Sequence, residues 1–382
     1  MSKSNETTPN VPTLRFREFI DSWTLIPIKK LLRFQNGINA DSTKYGKGIK
    51  YISVSDILNN QYITYDCIKG LIDIDEKTLN RFIVEYGDIL FQRSSETFED
   101  IGRANVYLDK EHSATFGGFV IRGKKISDYN PLFFRYLLCT HNARKQTVRM
   151  GAGAQHYNIG QEGLEKICLY FPCLQEQQKI SDLLFAIDNK IAVQNKIISD
   201  LKVLKKELCR KMLSSITEYK TLGELCSITT GKLDANANNH NGLYPFFTCG
   251  KDTLSIDNYA FDGEAILIAG NGDIGHTKYY CGKFNAYQRT YVLMNFKADA
   301  QFVKMGIDTY LPQKISEETQ GGAMPYIKLS TLTLLKIPFT TEEKQLSIRK
   351  HYDAIAQKVE NETEILDRLL QQKSYFLNAM FI

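Results

Sequence analysis

Three glycines, Gly270, Gly272 and Gly275, follow an apolar run in AILIAGNGDIGHT and match the spacing G-x-G-x-x-G. In a dinucleotide-binding unit such glycines let the backbone approach a pyrophosphate, and a helix must open directly behind them to point its N-terminus at the phosphates. The segment behind them is HTKYYCGKFNAY, aromatic and broken by glycine, with no acidic residue about twenty positions on. The pattern therefore reads as a tight loop between two strands. Gly151 and Gly153 in GAGAQHYNIG lack the Lys-Ser/Thr of a phosphate loop and read the same way. All nine prolines stand alone, so the Pro-Pro-aromatic turn with which an adenine methyltransferase would grip a flipped base is missing. The motor signature G-x-x-x-x-G-K-[ST] is missing as well, and no paired-carboxylate-plus-Lys nuclease cluster stands out. The eight cysteines (Cys67, Cys139, Cys168, Cys173, Cys209, Cys226, Cys249 and Cys281) form no C-x-x-C pair, and the six histidines are dispersed. They are expected to be reduced core thiols, with no metal site. The chain is expected to need no cofactor and to perform no chemistry of its own.

If the chain binds DNA, the side chains on its loops decide the contacts. Polar and basic residues cluster on segments that read as loops: Lys44, Lys47, Lys50, Arg93, Arg103, Gln155, His156 and Tyr157 in the first half, and Asn271, His276, Lys278, Gln288, Arg289, Tyr326 and Lys328 in the second. Arginine suits a guanine edge and Asn or Gln an adenine edge, whereas lysine more often meets phosphate. The net charge of +5 is too small to hold the chain on DNA by electrostatics alone at cellular salt. Much of the phosphate contact would have to come from a partner. Trp23, the one tryptophan, reads as a core plug.

The elements that carry these loops are legible as a repeat. Ile180, Leu184, Ile187, Ile191, Gln194, Ile198, Leu201, Lys205, Leu208 and Met212 fall at alternating steps of four and three, the single apolar seam of a coiled-coil helix. The same seam recurs 168 positions later, from Ile348 to Met380, with its polar breaks at the same steps: Gln194 answers to Glu362, and Lys205 to Lys373. The chain is thus two copies of one unit, each ending in a long helix. The expected fold class is α+β: a mixed globular domain at 1–173, a spacer helix at 174–215, a second mixed domain at 216–340 and a second helix at 341–382. Leu222 matches Ile28, Leu225 matches Leu31 and Gly231 matches Gly37. GIKYISVSDI is expected to be a strand, and VEYGDILFQRSS pairs with FDGEAILIAGNGDIG, FGGFVIRG with AYQRTYVLMNF. The opening MSKSNETTPNVP has no apolar signal core, and no eighteen apolar residues run together, so a cytoplasmic chain without a membrane span is expected.

This order carries a resemblance. With FPCLQEQQKI at 171–180, YISVSDI at 51–57 and the repeated domain-plus-helix unit, the chain resembles the specificity subunits of type I restriction-modification enzymes. The resemblance implies that each globular unit is a target recognition domain reading one half of a split site in double-stranded DNA. It implies that the two helices pack antiparallel between them. It also implies that the subunit docks methyltransferase subunits, two of them, and restriction/translocase subunits through these, while remaining non-catalytic itself. Two other readings stay open: an orphan DNA-binding relative that recruits no enzyme, and a coiled-coil assembly scaffold. Two departures from the repeat appear: residues 9–23 have no twin before the second domain, and the second helix opens EEKQLSI against EQQKISD, shifted by two after its proline. For the helix pair, a two-fold relation with Lys205 facing Glu362 and Gln194 facing Lys373 leaves every other layer apolar, so this register is expected.

Overall fold

The computed structural model describes residues 10–153, 156–318 and 326–382. In the first half the strands are β1 (Thr24–Pro27), β2 (Leu32–Asn36), β3 (Tyr45–Ile52), β4 (Gly70–Ile72), β5 (Ile89–Gln92), β6 (Ser94–Ser95), β7 (Ala104–Val106), β8 (Thr115–Phe116), β9 (Val120–Lys125), β10 (Tyr157–Asn158) and β11 (Cys168–Phe171). The helices among them are α1 (Val54–Asn59), α2 (Glu76–Phe82), α3 (Pro131–Cys139), α4 (His141–Arg149) and α5 (Gln161–Glu165), followed by the 41-residue α6 (Leu174–Ser214). The second half runs through β12 (Tyr219–Thr221), α7 (Leu222–Leu225), β13 (Ser227–Thr230), β14 (Tyr244–Phe247), β15 (Thr253–Ile256), β16 (Phe261–Ala269), β17 (Thr277–Ala286), β18 (Thr290–Met294), α8 (Ala300–Glu318), α9 (Leu329–Thr333) and β19 (Lys336–Pro338) to the 38-residue α10 (Glu342–Ala379). Among the described residues no helix is long and apolar enough to cross a membrane.

The fold is α+β, and its two halves share one plan. A sheet in the order β2-β9-β5-β7 answers to β13-β18-β16-β17, with β1 on β11 answering to β12 on β19. Ile28 N–H donates to Ile167 O and Leu222 N–H to Leu335 O, so the paired residues of the sequence stand at the same point of the two folds. In the second half β17 runs on to pair in parallel with β14, making one six-stranded sheet. In the first half the corresponding strand is interrupted between β7 and β8, and a separate sheet β4-β3-β8 forms.

The expected strand at 48–57 is shorter than its alternation suggests. It ends at Ile52, because Ser53 and Asp56 form a reciprocal capping box that starts α1. The glycine-spaced segment after β16 is the hairpin loop to β17, with Gly272 at φ +64° and Gly275 at φ +76°, and no helix follows it. The cysteines are free thiols but not uniformly core: Cys209, Cys226 and Cys249 are buried, whereas Cys139, Cys173 and Cys281 are exposed. Trp23 is buried, edge-on to Phe133 and Phe381 at 6.0 and 6.3 Å.

The chain divides into two compact units, the described residues up to Gln194 with Ile365–Ile382, and those of Asn195–Glu364. In the first unit the start of α6 packs on the end of α10: Ile180 and Leu184 share a core with Met380, Phe381, Phe133 and Trp23. In the second unit the end of α6 packs on the start of α10 through Cys209, Leu213 and Ile348. Both arrangements are antiparallel, and every seam position in both helices is buried or half-buried. Residues 10–23 of the strip without a twin gain their reason here. Leu14 N–H and the Thr13 hydroxyl donate to Ala379 O, and Arg15 holds the buried carboxylate of Glu176 at 2.7 Å. The second domain needs no such strip, because α6 itself delivers the chain to it.

The register is the correction. Lys205 does not face Glu362; its ammonium lies 4.2 Å from the centroid of the Tyr352 ring, ten positions earlier, and Glu362 pairs with Lys358 of its own helix. Lys373 does not face Gln194; it meets the buried Asp188, six positions earlier, at 2.6 Å. The expectation weighed the helices alone. Asp188, beside the seam residue Ile187 on α6, also accepts the Tyr136 hydroxyl at 2.8 Å from α3, so one buried carboxylate serves both the lysine of α10 and the globular region. Lys205 in turn lines a cleft with Asp308 and Tyr352, where burial and Lys304 pull its pKa down.

The two-residue departure also resolves. Gln177 donates from its amide to Pro172 O and accepts Asn130 N–H; Gln345 donates to Thr340 O and accepts Asp299 N–H. The two brackets are alike, each tying its helix to a carbonyl five residues back and to the residue that caps α3 or α8. Gln177→Leu or Gln345→Leu leaves a buried carbonyl and an N–H without these bonds, so each is expected to cost about 2 kcal/mol in urea unfolding, to a similar extent. Asp188→Leu, which strands Lys373 and the Tyr136 hydroxyl, is expected to cost about 3 kcal/mol, while Lys205→Met costs under about 1 kcal/mol. Equal losses at Asp188 and Lys205 in the same titration would contradict the observed register.

Candidate nucleic-acid interface

Three segments meet at one end of the central sheet of the first domain. The chain leaves β5 at Arg93, whose N–H donates to Phe119 O at 2.9 Å and whose carbonyl accepts Ile159 N–H at 3.0 Å. The Arg93 guanidinium donates to Gly118 O at 3.3 Å, so one residue holds two carbonyls of the next segment. That segment is the four-residue turn Gly117-Gly118-Phe119-Val120, closed by Val120 N–H to Gly117 O. The third segment is β10, paired with β6 through Tyr157 and Ser95; its Tyr157 ring lies edge-on to Phe98 at 5.2 Å. Beneath the turn, Gly37 passes so close that a Cβ on it would lie 2.0 Å from Gly117 O, a position open only to glycine.

The second domain builds the same junction from different residues. Gly270 leaves β16 in the place of Arg93: its N–H donates to Arg289 O and its carbonyl accepts Ile327 N–H. The turn is Tyr287-Gln288-Arg289-Thr290, closed by Thr290 N–H to Tyr287 O. Cys249 Sγ donates to Arg289 O at 3.3 Å, and Gln288 N–H to Leu233 O at 2.8 Å. Gly231 passes beneath as Gly37 does, its Cβ position 1.9 Å from Ala286 O.

The predicted residues divide between those at the junctions and those away from them. Arg93 and Tyr157 stand at the first, and Asn271, Gln288, Arg289 and Tyr326 at the second, the last four on the turn or beside Gly270 and Ile327. His156 is exposed directly before β10, and Lys328 is exposed at the start of α9. Arg103 is exposed and paired with Asp100 at 2.6 Å; the Thr97 hydroxyl and Arg103 hold that carboxyl below its usual range. An exposed pair of this kind is worth little and is readily exchanged for another anion. Lys44 and Lys47 lie on the other sheet of the first domain, exposed, with Lys47 on Asp73 at 3.1 Å. Lys50 and Lys278 are engaged by the protein itself: Lys50 donates to Tyr65 O, Lys278 to Asp252 O and Thr253, and burial draws the Lys278 pKa down. His276 lies in the hairpin loop, its carbonyl accepting Ala269 N–H. Gln155 falls outside the described residues. Phe119 was missed, though pairing FGGFVIRG with AYQRTYVLMNF already set it near Arg289 in the alignment.

Among the described residues no group of three His, Cys, Asp or Glu could hold a metal. What the junctions offer is a rigid backbone frame that presents exchangeable side chains.

Comparison with known proteins agrees with this duplicated plan. A family model described as the type I restriction modification DNA specificity domain matches twice, over residues 22–203 and 216–371. The chain is 38% identical to the type I restriction enzyme EcoDI specificity subunit of Escherichia coli over 165 residues, a match spanning 43% of this chain and only 37% of that protein. It is 24% identical to the MjaVIII specificity subunit of Methanocaldococcus jannaschii across 89% of this chain and 90% of that one. Its fold is similar to the crystal structure of the type I restriction-modification S subunit from M. genitalium, with a TM-score of 0.60 at 18% identity, covering 97% of this chain and 99% of that one. With both halves of the chain matched by the same family, this protein belongs to the type I restriction-modification specificity subunits.

Proposed function

We propose that this chain is the non-catalytic reader of a type I restriction-modification assembly, with residues 1–173 and 216–340 each recognising one half of a split duplex target. The single observation that carries this reading is the duplicated junction: one backbone frame, met twice, with different side chains on it. A scaffold without a DNA role has no use for two equivalent frames whose exposed residues differ, whereas a bipartite reader needs that combination. In this account Tyr157 in the first domain and Asn271, Gln288, Arg289 or Tyr326 in the second meet base edges, while Arg93 braces the turn beside them. Lys44, Lys47, Arg103, His156 and Lys328 meet phosphate in this account, and Lys50, Lys278 and His276 support their own loops.

The helices 174–215 and 341–382 hold no base-reading role in this account. They serve as the spacer between the readers and, together with the domains, as the dock for two methyltransferase subunits, through which restriction subunits are recruited. The modest net charge fits this division, since phosphate contact would then be shared with the partners.

Two experiments test the reading. Purified alone, the chain is expected to show no methyl transfer, ATP hydrolysis or DNA cutting; activity that persists in a preparation free of partner subunits contradicts it. Exchange of residues 219–338 for the matching domain of a relative is expected to change one half of the target in a genome-wide map of methylated adenines, leaving the other half intact. A change in both halves refutes the two-reader account, and a map unaffected by deletion of the chain favours a scaffold.

A further inference from the structure

The two junctions place Phe119 and Arg289 at the same point. Each is the third residue of the matched four-residue turn, and each gives its carbonyl to the N–H of the residue that leaves the neighbouring strand, Arg93 in one domain and Gly270 in the other. The strand registers agree: Gln92 pairs with Val120 and Ala269 with Thr290, which puts Phe119 and Arg289 one step beyond in both. Both side chains face solvent, and Phe119 is 69% exposed.

An exposed phenylalanine on a turn held this tightly does nothing for the core. The turn is braced on both sides. Arg93 binds the carbonyls of Gly118 and Phe119, and Gly118 lacks a Cβ where one would fall 1.6 Å from Asn39 Oδ1. The arginine of each junction is also disposed differently. In the first domain its guanidinium is spent on the turn carbonyl; in the second, a Cβ at Gly270 would lie 2.5 Å from Arg289 O, so no side chain fits there and the arginine stands on the turn itself.

We infer that this turn position is a specificity-determining contact in both domains, with Phe119 reading a thymine through its C5-methyl group and Arg289 reading a guanine. The inference rests on the DNA-recognition reading proposed above. A phenyl ring has no donor or acceptor, and the base-edge feature that rewards it is the methyl of thymine in the major groove; a guanidinium in the same place matches guanine O6 and N7. A ring presented by a braced turn also has few torsions to freeze on binding, as a reading position requires.

The test uses the chain assembled with its methyltransferase subunits. The wild-type assembly first selects its split target from a random duplex library, and each thymine of the selected target is then replaced by deoxyuridine, which removes only the methyl. One thymine in the half-site of the first domain is expected to show about tenfold weaker wild-type binding as deoxyuridine. Phe119→Ala should bind thymine and deoxyuridine equally there, with the other half-site unchanged, and Phe119→Leu should keep part of the preference. Phe119→Arg should shift that position towards guanine. Arg289→Ala should relax a guanine in the other half-site by a similar factor. Thermal unfolding confirms that each exposed-site variant is folded. If Phe119→Ala keeps every base preference, or weakens all sequences alike and ignores the methyl as a wedge or backbone contact would, the inference is overturned while the recognition reading stands. If the wild-type assembly selects no split sequence, the recognition reading falls and takes this inference with it.

Discussion

Both junctions depend on a close passage of two backbones. The chain leaving β2 at Gly37 and β13 at Gly231 runs so near the leading edge of the four-residue turn that a Cβ would meet a carbonyl carbon and oxygen well inside van der Waals contact. A side chain there would push apart the strand and the turn it supports, and with them the bonds that Arg93 and Gly270 make across the gap. Since three segments from distant parts of each domain converge on that spot, one missing methylene group in each half allows the frame to close. The frame is made of backbone hydrogen bonds, so its geometry is indifferent to which side chains it carries. That indifference is what a recognition module needs if its residues are to change while its fold does not.

The long helices are held by a different economy. Their seams supply apolar contact, but their placement is set by polar groups of the helices that bind partners outside the seam. Asp188 takes a lysine from α10 and a tyrosine hydroxyl from α3; Glu176 takes Arg15; Gln177 and Gln345 each bridge a loop carbonyl and a cap N–H. Such buried polar groups add little net stability, but each is costly when its partner is missing, so they select one arrangement among many that the apolar seam would accept. The end of α10 goes further and enters the first core, where Phe381 stacks on Phe133 at 5.3 Å and meets Trp23. Domain and helix are thereby one packing unit in each half, which matches the family's domain model extending from each globular region into its helix.

Much of this was determined by the sequence alone. The four-three seam, its recurrence with both polar breaks, and the pairing of Gly37 with Gly231 are local or periodic signals, and a helix or a strand must obey them whatever surrounds it. The strand read through Ser53 was a misreading of a legible signal, since the Ser53–Asp56 capping box lies within four residues. The helix register was not legible. A seam states which residues face inward, not which partner they meet, and Asp188 and Tyr352 became the partners of Lys373 and Lys205 only through packing among elements far apart in the chain. The equivalence of Phe119 and Arg289 stands between the two. Pairing FGGFVIRG with AYQRTYVLMNF brings Phe119 against Arg289, but phenylalanine and arginine share no chemistry that would mark the position, and the hydrogen bonds of the two folded turns give the match its meaning.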